Sequence, residues 1–309
     1  RLPLDDQKKV WEQKRKYGLP VMTFEKIGCW GMTEPDSGSD AYALKTSAVP
    51  EGDHYILNGS KTFITNAPYA DIFVIYAKMD RGKEMKRDKR LIFPFVMEKD
   101  TPGLTVSKPM HKMGMRASPT GEVFLDNVRV PKDQLLGGEE TSAREQSKDV
   151  FSGEREGTPT MCLGIIERCL EDSIKYAINR KQWGKPIIEF QLIQEKIAKM
   201  YVHYENVKNL LFKQIWLKLN KKKAWKEACA AKYYASAAAV EVAMEAVQLM
   251  GGNGYMREYH VELLARDAKL LQIGGGTSEI QLLNVVKDLA RAYGYEVTID
   301  GSAPRKEDA

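Results

Sequence analysis

Cysteine, histidine and long apolar runs are what this chain of 309 residues has least of. Its four cysteines (Cys29, Cys162, Cys169, Cys229) form no C-x-x-C pair, and three lie in apolar, helix-patterned stretches where cysteine behaves as a small core hydrophobe. A reducing compartment follows. The four histidines (His54, His111, His203, His260) are isolated, with neither an H-x-x-x-H spacing nor a His/Cys cluster, so no metal site is expected. No apolar run approaches the roughly 18 residues of a membrane span. Net charge is only +5, and much of the excess sits in two clusters, Arg81–Arg90 and Lys221–Lys223, which read as solvated loops rather than a nucleic-acid surface. No G-x-G-x-x-G stands at a strand-to-helix turn, so any nucleotide must bind otherwise than on an α/β dinucleotide fold. The chain opens at Arg1 with "RLPLDDQKKVW", without an initiator Met or a signal-like segment, and the native start is expected to lie elsewhere.

What is present suffices for two domains, at 43% hydrophobic and 29% charged. From about Val21 to Val130, "DHYILNG", "TFIT", "ADIFVIYAK", "LIFPFVME" and "EVFLDNVRV" are short β-branched and aromatic runs separated by Asn-Gly, Pro-Gly and charged turns. That texture predicts an antiparallel barrel or sandwich. After Pro131 and the polar connector "GGEETSAREQ" the period changes. Ile193, Ile197, Met200, Tyr204, Val207, Leu211 and Ile215 step by three and four onto one helix face. The Ala-rich run 224–250 predicts a second long helix, and 257–273 and 278–292 two more, which makes a bundle. Residues 299–309 read as a disordered tail.

Five stretches could carry chemistry, and each also has a plain structural reading. "WGMTEPDSGSD" (30–40) is a surface turn, or a loop whose hydroxyls and N–H groups meet an anion. "NGSKTFITN" (58–66) reads as a hairpin turn entering a strand with Phe63 and Thr65 on one side, either sheet packing or cover for a flat ring. In "NRKQWGKPI" (179–187), Arg180 and Lys181 could satisfy helix-end carbonyls, or Arg180 could grip a phosphate. "QLMGGNGY" (248–255) is a helix C-cap, or a place of close backbone approach. "QIGGGTSEIQ" (272–281) reads as a helix–loop–helix turn with Ser278 as N-cap and Gln281 reaching back, or as bare N–H groups for an oxyanion.

Taken in order, "TEPDSGSD", "NGSKTFITN", "NRKQWGKPI", "QLMGGNGY", "EYHVELLARDAKLLQI" and "GGTSEIQ" closely resemble the motifs of the flavin-dependent acyl-CoA dehydrogenases, a likeness running from about Asp6 to Ala292. The resemblance implies an α+β fold with a middle antiparallel β-barrel (21–135) and a C-terminal four-helix bundle (136–298). It implies FAD between them, reaching a neighbouring subunit of a homotetramer built as a dimer of dimers. Trp30, Met32 and Thr33 would line the flavin, Ser39 would meet the pyrophosphate, and Phe63 and Thr65 would cover the ring and bond its edge. Arg180, Gln182 and Trp183, with Gln248 and Gly252, would hold the adenosine diphosphate part from the partner subunit. Thr277 is placed at the cofactor, and Ser118, Arg155 and Gly274 at the acyl-CoA substrate. The implied reaction is α,β-dehydrogenation in acyl-CoA catabolism: a carboxylate takes the α-proton, hydride passes to flavin N5, and the Gly275 N–H bonds the thioester oxygen. Electron-transferring flavoprotein is the implied acceptor, and the cytoplasm, or a mitochondrial matrix in a eukaryote, the implied location.

Two departures from the family pattern stand out. Most members carry Glu where this chain has Gly275, which keeps the N–H donor and loses the base. Some members place the base on the first bundle helix, just before an Arg, and Glu154-Arg155 of "SGEREG" matches that pair. Glu154 is therefore the expected base, ahead of Glu156 and Asp149, although acidic residues suit a helix start in any case. The relocation hints at a bulky acyl group needing space near Gly274 and Gly275. The second departure is the family's N-terminal helical domain, of which residues 1–20 would be only the end; the chain is expected to be a fragment. The alternative function is a non-dehydrogenating relative on the same fold, an acyl-CoA reductase, desulfinase or binding protein, and a further one is a scaffold without flavin.

Overall fold

The computed structural model describes residues 4–79, 92–137 and 143–297. The Arg81–Arg90 cluster, part of the polar connector and the 299–309 tail lie outside the described residues. The chain divides into two compact units, one drawing on Arg1–Lys112 and Arg116–Asp149, the other on Met113–Met115 and Val150–Ala309. The short piece Met113–Met115 thus goes with the helices.

The first unit begins with helices α1 (Leu4–Gln13) and α2 (Leu19–Met22), joined by one π-helical turn at Lys14–Gly18. These residues pack on the sheet. Tyr17 is buried with Ile72 and Val96, and the Gln13 amide donates to the carbonyls of Asp133 (2.6 Å) and Leu135 (2.9 Å). Seven strands follow: β1 (Gly28–Gly31), β2 (Ser47–Glu51), β3 (His54–Thr65), β4 (Ile72–Met79), β5 (Ile92–Glu98), β6 (Leu104–Val106) and β7 (Thr120–Pro131). They form one curled sheet in the order β1-β4-β2-β3-β7-β6, with β5 on β4. Pairing is antiparallel except where β1 and β2 meet β4 in parallel. The central β4 and β5 are buried along nearly their whole length, which is why "DIFVIYAK" and "LIFPFVME" read as continuous apolar runs. Tyr55, Leu57, Phe73, Ile75, Phe95, Met97, Val123 and Val128 form the core.

Asn58-Gly59 is not the hairpin turn its dipeptide suggests. β3 runs straight through it, with a register shift against β7 between Leu57 and Gly59. A Cβ on Gly59 would lie 2.5 Å from Thr46 Oγ1, so glycine is needed for close approach of a neighbouring segment inside a strand.

The "TEPDSGSD" bend is held from below by a buried ion pair. Lys61 Nζ donates to Glu34 Oε1 (2.8 Å) and to the Met32 carbonyl (3.2 Å), and Glu34 also accepts from the Lys45 and Thr46 N–H groups. Burial pushes the Lys61 ammonium down to about 8. For Glu34, burial opposes ionisation, but Lys61 and the backbone donors outweigh it and hold the carboxyl below its usual range.

The second unit contains α3 (Ala143–Asn179) from Val150 onward, a two-stranded ribbon of β8 (Lys181–Gln182) and β9 (Lys185–Pro186), α4 (Gln191–Leu219), α5 (Trp225–Met250), α6 (Val261–Leu270) and α7 (Ser278–Ala292). α5 is the hub: Ala231, Ala235, Ala238, Ala239, Ala243 and Ala246 are all buried, and their small side chains let α4, α6 and α7 pack closely around it. The predicted α4 face enters the core as far as Leu211. There Ile215 emerges to solvent and Gln214 takes the inward place, its amide donating to the Glu156 carbonyl at 3.3 Å. All four cysteines are free and buried, and burial pushes their thiols up to about 11 or 12, which leaves them unreactive.

Breaking the pair under the bend tests its weight. Glu34→Gln is expected to cost about 3–5 kcal/mol in urea unfolding, since it strands a buried ammonium, and Glu34→Leu with Lys61→Met should recover part of that loss.

Candidate active site

In the sheet unit the predicted ligand residues cluster around β3. The Thr62 N–H donates to the Thr33 carbonyl at 3.0 Å, which ties the bend to the strand that carries Phe63 and Thr65. Both of those face outward while Ile64 between them is buried, as period two requires. Phe63 is 68% exposed and sits at the register shift between Lys61 and Ile64 with φ +57. An outward aromatic held left-handed at a bulge is strain of the kind found at ligand sites. Trp30 lies edge-on to Tyr76 at 5.5 Å, and Ser39 is exposed. Met32, at 1% exposure, lies in the core under the bend. The Ser118 carbonyl is taken by Lys112 Nζ.

In the helical unit an open cleft of about 610 Å³ brings together Tyr176, Arg180, Gln182, Trp183, Gly251 and Gly252. Trp183-Gly184 forms the two-residue turn of the β8–β9 ribbon, with φ of +47 and +81. Such a turn requires both central residues left-handed. It raises the indole to 88% exposure, edge-on to Phe190 at 5.6 Å. At the other end of the cleft, Gly251 (φ +60) caps α5 by donating to the Gln248 carbonyl. Gln248 itself is exposed on the last turn of α5 and does not line the cleft.

The glycine loop joins α6 to α7. Gly275 and Gly276 have φ of +66 and +84, where an L side chain is strained by about 1–2 kcal/mol. The α7 cap corrects the sequence reading by one residue: Thr277, not Ser278, is the N-cap, its Oγ1 accepting from the Ile280 N–H at 3.4 Å. Gln281 reaches back as expected, but to other atoms. Its amide donates to the carbonyls of Gly275 (3.1 Å) and Gly276 (2.8 Å), because the loop turns these carbonyls toward the buried Gln281 side chain. The Gly275 N–H has no acceptor among the described residues.

Glu154, from α3, comes to this loop. A Cβ placed on Gly275 would lie 3.6 Å from Glu154 Cβ and 3.9 Å from Glu154 Oε2. The two residues therefore share one space, which holds a carboxylate from one side and none from the other. Glu154 keeps one side open to solvent, yet the protein walls it on the others, and that desolvation pushes its pKa up against the opposing charges of Arg155 and Lys232. Arg155 does not present itself to an open surface. It is buried, with its guanidinium over the Trp225 ring at 4.4 Å. Glu156 is engaged with Lys218. A group of side chains able to hold a metal is absent among the described residues.

Residues 29–128 match the acyl-CoA dehydrogenase middle domain, and residues 145–290 match the acyl-CoA dehydrogenase C-terminal domain. The chain is 41% identical over 280 residues to the "Probable acyl-CoA dehydrogenase YngJ" of Bacillus subtilis, covering 91% of this chain and 73% of that protein. It is 41% identical over 270 residues to the caffeyl-CoA reductase-Etf complex subunit CarC of Acetobacterium woodii, covering 87% and 70%. The solved butyryl-CoA dehydrogenase from Megasphaera elsdenii superposes with a TM-score of 0.84 at 39% identity, covering 92% of this chain and 74% of that one. The chain belongs to the acyl-CoA dehydrogenase family, FAD-dependent enzymes that act on CH–CH bonds with a flavin acceptor.

The residues present fit that cofactor. The sheet unit offers the outward Phe63 and the hydroxyl of Thr65 for a flat ring with a polar edge. The cleft of the helical unit offers a planar cation, an amide, an exposed indole and two bare glycines, the donor set that a diphosphate and a purine call for.

Glu154 makes stability depend on pH in a defined sense. Because its folded pKa is raised, the folded state favours the proton, and that contribution is full below the usual carboxylate range and lost as pH rises through the folded pKa. Glu154→Gln should therefore match the parent protein in thermal melts at low pH and become progressively more stable than it as pH rises through that window. A stability difference that does not vary with pH would contradict the assignment.

Proposed function

We propose that this protein catalyses α,β-dehydrogenation of an acyl-CoA thioester, with Glu154 removing the α-proton. The observation that carries the proposal is the 3.9 Å between Glu154 Oε2 and the position of a Gly275 Cβ, which puts a carboxylate at the glycine loop although the loop itself has none. FAD, when bound, supplies the acceptor for the β-hydrogen, which leaves as hydride. Glu154 takes the proton at its carboxylate, and its partial desolvation strengthens it as a base once ionised. The N–H of Gly275, without an acceptor among the described residues, stabilises negative charge on the thioester oxygen as the α-carbon loses its proton. Gly274, beside it in the same loop, would meet the substrate. Phe63, Thr65, Trp30, Thr33 and Ser39 would hold the flavin and its pyrophosphate. Arg180, Gln182, Trp183 and Gly252, with Gln248 on the adjoining turn, would hold the adenosine diphosphate of a partner subunit's cofactor. Thr277 already serves the α7 cap, so its part at the cofactor is secondary to that one.

The similarity to a caffeyl-CoA reductase subunit supports a second reading, the same bonds remade in reverse. A carboxyl with a raised pKa serves both directions, as the base in one and the proton donor in the other. That relative's name, with its Etf complex, also supports an electron-transferring flavoprotein as redox partner here. Exposed apolar rows on α4 (Phe212, Ile215, Trp216, Leu219) and α7 (Leu282, Leu283, Val286, Leu289) support an assembly of several subunits, for which we propose a homotetramer. Among the described residues no helix is long and apolar enough to cross a membrane.

Anaerobic bleaching of the purified flavoprotein by acyl-CoA tests the base. Glu154→Gln is expected to slow it by about 10²–10⁴-fold with FAD retained; unchanged bleaching would remove Glu154 from the mechanism. The cleft is tested separately. Arg180→Ala should weaken FAD retention on dilution by about tenfold or more, as loss of a charge-assisted phosphate contact does. A bulky acyl group is favoured by the open face of α3, where a Cβ on Gly153 or Gly157 would meet nothing within 4 Å. Branched or aryl acyl-CoAs should then turn over faster than short straight ones.

A further inference from the structure

Lys232 lies at the middle of α5 and is completely buried, an expensive place for an ammonium in a helix otherwise lined with alanine. Its Nζ donates to the Gly276 carbonyl at 2.7 Å. The same carbonyl accepts from the Gln281 amide, which also bonds the Gly275 carbonyl, so two buried side chains grip both peptide units that flank Gly276. Neither residue can reach a substrate from there.

We propose that Lys232 is a positioning residue for the reaction: it clamps the glycine loop from beneath so that the Gly275 N–H points outward, and it keeps a positive charge behind Glu154. This rests on Glu154 and Gly275 having the roles given above. The geometry explains a feature that packing does not. An apolar α5 residue at 232 would leave the Gly276 carbonyl with the Gln281 amide alone, and a left-handed Gly-Gly pair has little else to hold it. The charge acts as well as the hydrogen bond. Around Lys232 stand Arg155 and Cys162 of α3, Cys229 of α5 and Glu279 at the start of α7, while Glu154 itself feels Arg155 and Lys232. The thiols are held neutral by burial, and Asp288 lies toward Cys229. Burial pulls Lys232 down to about 8, so it remains an ammonium at neutral pH. Its positive charge favours the ionised Glu154 and opposes the desolvation that favours the acid.

Two variants separate the clamp from the charge. Lys232→Met removes both, and Lys232→Gln keeps a donor for the Gly276 carbonyl without the charge. Three readouts are taken on the FAD-loaded protein: hydrogen exchange of the 274–281 amides, the pH dependence of flavin bleaching by acyl-CoA, and the pH window in which Glu154→Gln changes the melting temperature in each Lys232 background. Lys232→Met is expected to speed loop exchange, to lower the bleaching rate by about tenfold or more through misplacement of the donor, and to move both the acidic limb and the melting window to higher pH. Lys232→Gln should keep loop protection while still shifting the limb and the window. Should Lys232→Met fail to fold, the shift in Lys232→Gln decides. Unchanged loop exchange in Lys232→Met with an unchanged acidic limb, or an unshifted limb in Lys232→Gln, would overturn the proposal. Failure of the base assignment shows differently, as full bleaching in Glu154→Gln whatever the loop does.

Discussion

A buried ammonium must find oxygen, and in this protein each unit uses that demand to hold the loop on which its chemistry depends. Lys61 under the sheet unit's bend takes the Met32 carbonyl and the Glu34 carboxylate. Lys232 inside the bundle takes the Gly276 carbonyl. In both cases the free energy of leaving a lysine unsatisfied in the core is several kcal/mol, more than a polar or glycine-rich loop can contribute to its own order. The lysines convert segments that would otherwise sample many conformations into fixed surfaces. What those surfaces present is left to small residues: hydroxyls in the bend, bare N–H groups in the glycine loop.

Glycine at 275 and glutamate at 154 are two parts of one arrangement. The left-handed backbone at 275 disfavours any side chain, and a Cβ there would lie in van der Waals contact with Glu154 and Thr158. A carboxylate on the rigid first helix is better placed to keep its orientation than one on a loop, and it leaves the loop free to act through its backbone alone. The cost falls on α3, which carries Gly153, Gly157 and Pro159 close to Glu154, and there the Thr158 hydroxyl bonds the Glu154 carbonyl at 2.8 Å.

Much of the architecture was legible along the chain because hydrophobic period and motif order are local properties. The β texture and the α4 and α5 patterns announced themselves, and α7 begins and ends where its sequence pattern does. The misreadings share one cause. Asn58-Gly59 has the chemistry of a turn, but the approach of Thr46 makes it a bulge. "TSEIQ" has the form of a capping box on Ser278, but Gln281 is drawn to the loop carbonyls and the cap moves to Thr277. Lys232 carried no signal at all, because a single lysine in an Ala-rich helix looks like a solvated residue until the packing around it is known.

By itself, then, the order of residues determined the family, the two-unit plan, the FAD requirement and the pair of candidates Glu154 and Gly275, since each is written in motif, spacing or an absent side chain. Only tertiary structure decided that residues more than a hundred positions apart share one space, that Phe63 and Trp183 are strained and raised into solvent, and that a buried lysine stands behind the loop. Those properties depend on desolvation and on backbone conformation, which arise when distant segments are brought together and have no counterpart in the linear pattern.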